Sequence, residues 1–293
     1  MAEATASFPQ GGQVMAVGEL LVVPVFDGVS TEDPTEFYRL SHGESQQRGF
    51  RAEDWAPYPE LLGATGLLDH AYGGYLVRTG GHLVLIDTGV GPGQIGPFGP
   101  SQRVIRGGAL IESLGGLGID LAEVTDVVLT HLHPDHYGWA VEDGGSLFPN
   151  AVFRCHGLDW DHFVVRPGPG LSGFSATLPA LADRLETWDH DGPILPGIDA
   201  RLAAGHTPGS TVLVLSSGPS RALLLGDVVH CPVELLEDEW ASLGDVDAAL
   251  ARRTKVALAR ELEDNQVPAA GGHFPGLRFG RLLAGEGRRQ WVV

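Results

Sequence analysis

Apolar residues in this chain come in short runs broken by glycine, proline and polar clusters, which is the punctuation of buried strands rather than of long helices. Glu19–Phe26 reads as the first strand, behind a small, polar tail at residues 1–16. Tyr75–Thr79 and Leu83–Asp87 flank Gly80-Gly81, the signature of a hairpin with a tight turn. Val127–Thr130, Ala151–Arg154, Ala200–Ala203, Thr211–Leu215 and Arg221–Leu225 add further strands. The period changes between Val246 and Glu263, where Leu250, Ala257, Leu258 and Leu262 share one side of a helix. Shorter helical turns are predicted after Arg106 and over Leu158–Phe163. Gly89–Pro100 and Arg166–Phe174 are too rich in glycine and proline for either element and read as loops, the second as an exposed loop or lid. Gly89–Gly93 lacks both the Lys-Ser/Thr ending of a phosphate loop and the Rossmann spacing. Sheet-rich and helical stretches alternate twice, which makes an α/β chain.

The pattern weakens from Asp27 to Leu68. Pro34, Pro57 and Pro59 break it, a polar run fills Ser41–Arg48, and Phe37, Tyr38, Phe50, Trp55 and Tyr58 are scattered through it. We read residues 27–68 as an irregular excursion with short helices, either a cover over one face of a single domain spanning 1–293 or a mobile surface insertion in it. Hydrophobic content of 43% with 19% charged residues leaves ample material for one large core.

Charge narrows the partners. The formal net charge is −18 and Lys255 is the only lysine, so there is no basic patch with which to neutralise a phosphate backbone or hold an anionic membrane surface. A neutral small molecule fits better. Cys155 and Cys231 are too few and too far apart for a disulfide framework or a thiolate metal knot and are expected as reduced thiols, Cys231 as a small buried hydrophobe. The N-terminus has no basic region followed by an apolar core, and no apolar run is long enough to span a bilayer, so the expectation is a cytoplasmic protein.

The chemistry is concentrated at His131-Leu-His133-Pro-Asp135-His136, directly after an apolar run. Three imidazoles in six positions repel one another when protonated and cooperate when neutral around a cation, so the segment reads as a metal site. Three further strand-to-loop junctions carry ligand-type residues beside glycine or proline: Gly205-His206-Thr207-Pro208-Gly209, Gly226-Asp227 and Gly271-Gly272-His273. The set is His131, His133, Asp135, His136, His206, Asp227 and His273. That is too many donors for one tetrahedral ion, and it suits two divalent ions sharing a bridging carboxylate and a bridging hydroxide. With nitrogen and oxygen donors and no thiolate, zinc is the first expectation, and iron, manganese and cobalt are compatible.

These motifs in this order, with Asp87-Thr88-Gly89 upstream, resemble the metallo-β-lactamase superfamily over roughly residues 70–280. The resemblance implies an αββα sandwich of two mixed β-sheets flanked by helices, with the metals at one edge of the sheets. It implies that His131, His133 and His206 hold one metal, that Asp135, His136 and His273 hold the other, and that Asp227 bridges them. It also implies hydrolysis, with Asp135 or Asp227 carrying the proton to the leaving group. Within the family, His133–Trp139 followed by Phe148-Pro149-Asn150-Ala151 is similar to the branch of N-acyl-homoserine lactone lactonases and organophosphate hydrolases. One departure stands out: lactonases of that branch carry a tyrosine three residues after the bridging aspartate, and this chain has His230. Two readings of His230 stay open, a catalytic donor to the substrate oxygen in the tyrosine's place or a packing residue.

Other branches fit less well. RNA-processing members need an added domain and a polyanion surface, flavodiiron members a glutamate at the position of His133, glyoxalase-type thioesterases a basic C-terminal cluster, and persulfide dioxygenases fewer ligands. The expected function is therefore opening of an ester or lactone bond in a neutral, fairly apolar molecule. A phosphotriesterase on the same site is one rival, and a ligand-binding or sensing protein is another. Trp139, Phe148, Trp160, Phe163, Phe174 and Phe274 are candidates for the pocket wall, His42, His70, His82, His156, His162 and His190 are read as surface or structural histidines, and a homodimer through the excursion is the candidate assembly.

Overall fold

Val127 and Val128 are adjacent in the chain yet pack into different cores, because side chains on a strand alternate between faces. The same division runs along the neighbouring strand, where Leu83 and Leu85 join Val127 while Val84 and Ile86 join Val128. The computed structural model describes residues 13–41, 47–98, 101–168, 175–242, 244–285 and 287–293. The tail up to residue 12, His42, and residues 169–174, including Phe174 and most of the segment read as a loop or lid, lie outside the described residues.

The first sheet has seven strands in chain order: β1 Met15–Val17, β2 Leu20–Glu32, β3 Leu68–Thr79, β4 His82–Ile86, β5 Asp126–Val128, β6 Val152–His156 and β7 Leu185–Trp188. β1 to β4 pair antiparallel and β4 to β7 parallel. The β3–β4 hairpin turns through Gly80 and Gly81 at φ 52° and 88°, a left-handed pair that glycine adopts without strain. The second sheet has five strands, β8 Gly192–Leu195, β9 Ile198–Leu202, β10 Thr211–Ser217, β11 Ser220–Leu224 and β12 Ala269–Ala270, antiparallel except for the last pair.

The inner faces of the two sheets meet in a shared core where Val22, Val77, Val84 and Ile86 face Ile198, Leu213, Leu215 and Leu224. On the outer face of the first sheet, Leu76, Leu85 and Phe153 pack under Leu110 and Leu114 of helix Leu110–Gly116. On the outer face of the second, Val212 and Leu223 pack under Leu258, Ala259 and Leu262 of helix Ala248–Asn265. That helix starts two residues later than its periodicity suggests because Asp247 caps it, its carboxylate accepting from Leu250 N. The layers are helix, sheet, sheet, helix, the αββα sandwich expected from the sequence. No helix among the described residues is long and apolar enough to cross a membrane.

The excursion is shorter than its sequence suggests. β2 continues to Glu32 and β3 begins at Leu68, pairing Ser30 with His70 and Glu32 with Leu68 across a bulge at Asp27. The extension escapes a hydrophobic reading because Ser30, Glu32, His70 and Tyr72 are polar residues joined to one another rather than an apolar stripe. What remains of the excursion folds as a cover: Tyr38, Phe50, Trp55 and Tyr58 pack with Cys231, Val233 and Trp240, and Tyr38–Ser41 pairs antiparallel with Trp240–Ser242. Gln94–Phe98 and Arg103–Arg106 form a second hairpin where a plain loop was expected, and the helix predicted after Arg106 starts at Leu110.

Candidate metal centre

The functional side chains sit where strands stop. β5 ends at Val128, and the chain turns through Thr130 to His133, which precedes the one-turn helix Pro134–Tyr137 carrying Asp135 and His136. His206 lies between β9 and β10, Asp227 follows β11, and His273 follows β12. Because β5 and the second sheet end at the same edge of the sandwich, four loops far apart in sequence converge there.

All seven expected ligand residues come together. His131, His133 and His206 form one group and Asp135, His136, Asp227 and His273 another, with the ligand atoms of each group within 4.8 Å of one another. His133 Nδ1 lies 3.1 Å from His131 Nε2 and 2.9 Å from His206 Nε2. Ligands about 2.0–2.1 Å from a tetrahedral ion stand roughly 3.3 Å apart, so this spacing suits a shared cation. Asp227 Oδ2 lies 3.0 Å from His273 Nε2, 3.2 Å from His136 Nε2, 3.4 Å from His230 Nε2, 3.7 Å from His206 Nε2 and 3.8 Å from His131 Nε2. One buried carboxylate oxygen thus faces five imidazoles. Gly272 is required here, since a Cβ on it would meet Asp227 Oδ1 at 2.7 Å.

The outer partners fix which nitrogen faces inward. His136 Nδ1 donates to Asp87, His206 Nδ1 to Asp245, His273 Nδ1 to the Ala71 carbonyl and His131 Nδ1 to Thr130 Oγ1, whose own proton goes to Asp87. With Nδ1 so engaged, each of these rings turns Nε2 to the centre, the atom that a metal takes once any proton on it is lost. Asp87 holds a left-handed backbone, φ 59°, and also accepts from Thr130 N. A second buried carboxylate does the same for the other group: Asp159 accepts from Leu132 N at 3.0 Å, Thr207 Oγ1 at 2.9 Å and Gly209 N at 2.5 Å, tying the His131–His133 loop to the His206 loop. Sequence reasoning missed Asp159 and Asp245, because nothing local distinguishes them from capping or surface aspartates.

Electrostatics bear on what the cluster can hold. Burial and the neighbouring His136 hold His131 well below its ordinary pKa, and burial with His206 pushes His133 down to about 3. For His136 and His230 burial acts the same way but Asp227 outweighs it, aided by Asp87 at His136, so both are raised well above the usual value, and His273 rises to about 9. Burial would raise Asp227, yet the charge on His136, His273 and His230 holds it well below the ordinary carboxylate range. His136 Nε2 and Asp227 Oδ1 have no hydrogen-bond partner among the described residues. Buried polar atoms left so are costly, and a cation among lone pairs and carboxylates satisfies them. The donor set fits divalent metal.

A cavity of about 420 Å³ opens on this cluster. His230 lines it, and with His206 and Asp227 forms a third group of ligand-type atoms within 4.8 Å. Of the expected wall residues among the described ones, only Phe163 lines it. Trp139 turns inward to donate to Asp27, and Phe148, Trp160 and Phe274 pack in the layers around the sheets. The wall comes instead from Phe37 of the cover, Ile95, Phe98 and Ile105 of the second hairpin, and Tyr72. His70 takes the structural of its two readings, buried beside the cavity with Nδ1 3.2 Å from Glu32 and its ring 5.7 Å from that of His273.

The profile of the metallo-beta-lactamase superfamily matches residues 74–273. Human metallo-beta-lactamase domain-containing protein 1 is 28% identical over 207 residues, a match spanning 68% of this chain and 65% of that protein. An N-acyl homoserine lactonase of Bacillus thuringiensis is 24% identical over 200 residues, covering 64% of this chain and 76% of the lactonase. Among solved structures, AidC, a dizinc quorum-quenching lactonase in complex with a product, superposes with a TM-score of 0.79 at 25% identity over 97% of both chains. The beta-lactamase-superfamily hydrolase AbOPH superposes at 0.77 with 22% identity over 98% of both. Profile, architecture and the converging histidines and aspartates agree, and the chain belongs to the metallo-beta-lactamase superfamily.

Proposed function

We propose that this chain is a binuclear metal-dependent hydrolase that opens an ester or lactone bond in a neutral small molecule. The observation that carries the reading is the position of Asp227, whose Oδ2 lies within 3.8 Å of four imidazole nitrogens drawn from both ligand groups and of His230 Nε2. In this reading His131, His133 and His206 hold one ion, Asp135, His136 and His273 the other, and Asp227 lies between. Zinc is the first candidate, on donor type and on the dizinc AidC.

Divalent ions in such a site, when bound, acidify water toward neutrality and polarise a carbonyl or phosphoryl oxygen. The chain's own residues do the rest. Asp135 is the ligand-set carboxylate most open to the cavity, 18% exposed against 3% for Asp227, so it is the group placed to pass a proton to the leaving oxygen. His230 turns Nε2 toward Asp227 at the cavity wall, with Glu234 behind its Nδ1 at 3.6 Å, and serves as donor to the substrate oxygen. Apolar walls from Phe37, Ile95 and Phe98 exclude water and select a fairly apolar substrate.

The test is elemental analysis of the purified protein with a hydrolysis panel of a γ-lactone, an acyl-homoserine lactone, an aryl ester, a phosphotriester and a β-lactam. About two metals per chain with chelator-sensitive lactone or ester turnover is expected. Turnover of the phosphotriester alone replaces the reading with a phosphotriesterase, and a metal-loaded chain without turnover replaces it with a binding protein.

A further inference from the structure

One buried carboxylate of β2 takes no part in the metal centre. The register of β2 against β3 shifts between Phe26 and Gly28, and the bulge leaves Asp27 without a ladder partner. Its side chain is 1% exposed and gathers donors from three separate segments. Oδ2 accepts from Val90 N at 2.7 Å and Gly91 N at 3.1 Å, and Oδ1 from Gly108 N at 2.9 Å, Leu110 N at 3.0 Å and Trp139 Nε1 at 2.7 Å. The segments meet too closely for side chains between them: a Cβ on Gly107 would meet Asp27 Oδ2 at 2.2 Å, and one on Gly138 the Val90 carbonyl carbon at 2.0 Å.

Gly91 lies just before the hairpin strand Gln94–Phe98 and Gly108 just after its partner Arg103–Arg106, so both feet of the second hairpin close on this one carboxylate. Trp139 lies just after the helix Pro134–Tyr137 that carries Asp135 and His136. The two sides are not equally held. The side of the ligand helix keeps bonds of its own, from Asp87 N to the Val128 carbonyl at 2.9 Å, Thr88 N to the His136 carbonyl at 2.6 Å and Gly138 N to the Gly89 carbonyl at 2.8 Å. The hairpin is tied at its far end by Ser101 N to Glu36 and by Arg103 to Glu32, and at its base by Asp27. Between these ties Ile95, Phe98 and Ile105 pack with Tyr72 and Val90 and line the cavity. Loss of the Asp27 carboxylate therefore releases the wall before it releases the ligands.

We propose that Asp27 is the positioning residue of the substrate wall: it pins the base of the second hairpin to the frame of the ligand helix and so sets where Ile95, Phe98 and Ile105 stand relative to the metal centre. Its part in selectivity rests on the ester or lactone reading above, while its part as an anchor does not.

The test combines hydrogen exchange with kinetics on the metal-loaded full chain. Asp27→Asn keeps the size of the side chain but turns one acceptor oxygen into a donor. Amides of Gln94–Phe98 and Arg103–Arg106 are expected to exchange about tenfold faster in this variant, with those from Val127 to Trp139 and the metal content unchanged. KM is read for a long and a short member of two substrate pairs, γ-decalactone with γ-valerolactone and p-nitrophenyl octanoate with the acetate. The KM of the long member is expected to rise roughly fivefold, while the KM of the short member and both kcat values stay within about twofold. Phe98→Ala is expected to raise the long member's KM in wild type and to add nothing in Asp27→Asn, because both changes act through one wall. Additive effects overturn the proposal, as does faster exchange spread evenly over the chain. Should Asp27→Asn fail to fold, Gly107→Ala drives a Cβ against Asp27 Oδ2 without removing a donor and is expected to give the same confined exchange and the same shift in KM. If wild type turns over no member of either pair, the hydrolase reading falls, and exchange alone decides Asp27: acceleration confined to the hairpin supports it, and even acceleration or none overturns it.

Discussion

The two ends of the cavity are built on different principles. At the metal end, donors come from four loops at one edge of the sheets, and buried carboxylates fix both loops and rings: Asp87 holds His136, Asp245 holds His206, and Asp159 ties two loops together. At the other end, the cover and the second hairpin supply Phe37, Ile95, Phe98 and Arg103 through packing and one buried ion pair. Rigid strand ends suit chemistry that tolerates little misplacement, while a separable cover can change the substrate without disturbing the ligands.

Breaking the metal end directly should have the largest effect. Asp227→Ala removes the one carboxylate facing both groups, so we expect loss of at least one metal per chain and a fall in kcat/KM beyond the roughly 100-fold that loss of an outer partner costs. Full activity with two bound ions sinks the bridging assignment.

Asp159 tests whether the outer carboxylates matter as this contrast requires. Asp159→Ala leaves Leu132 N, Thr207 Oγ1 and Gly209 N without their common acceptor. If the proposed assignment holds, the expected loss is about 10- to 100-fold in affinity for the metal assigned to His131, His133 and His206, with the metal assigned to the other group retained. Stepwise chelator titration followed by elemental analysis reads this, and equal weakening of both metals contradicts it.

Protons compete with metal at the same atoms. In the metal-free chain His273 keeps its proton to about pH 9, and His136 and His230 are also raised, so at neutral pH metal binding must expel protons. Apparent affinity should rise with pH toward 9 and fall on acidification, with proton release measurable by calorimetry in buffers of different ionisation enthalpy. The stability linkage has the opposite sense: a raised histidine stabilises the metal-free chain fully below its ordinary value near 6.5, and that contribution disappears as pH rises through about 9. A metal-free Tm that does not fall over that interval contradicts the assignment.

Legibility followed the same division. The convergence of His131, His133, Asp135, His136, His206, Asp227 and His273 was legible because ligand-type residues cluster in short motifs at strand ends, and the apolar runs Leu83–Ile86 and Val127–Val128 marked the strands beneath them. The other end could not be read that way. Trp139 and Phe148 are as aromatic as Phe37, and only tertiary packing decides which ones bury among the layers and which one faces the cavity. Ser30, Glu32, His70 and Tyr72 hid two strand extensions because their inward side is polar, and His70, alone in its segment, carried no ligand spacing. Asp159 acts through backbone N–H groups of distant loops, a relation no local pattern encodes.

Phe37 gives the smallest expected effect and the sharpest separation of the two ends. Its ring touches His70 at 4.8 Å, His230 at 5.4 Å and the Arg103 guanidinium at 5.4 Å, yet it donates no atom to either ligand group. Phe37→Leu keeps an apolar wall and removes the aromatic face, a loss of roughly 0.5–1.5 kcal/mol, or about two- to tenfold. If the cover governs substrate fit and the strand ends govern chemistry, that factor appears in KM, while kcat, metal content and chelator sensitivity stay at wild-type values. A drop in bound metal would mean that the cover also supports the ligands through His230 and His70, and the division between the two ends would not hold.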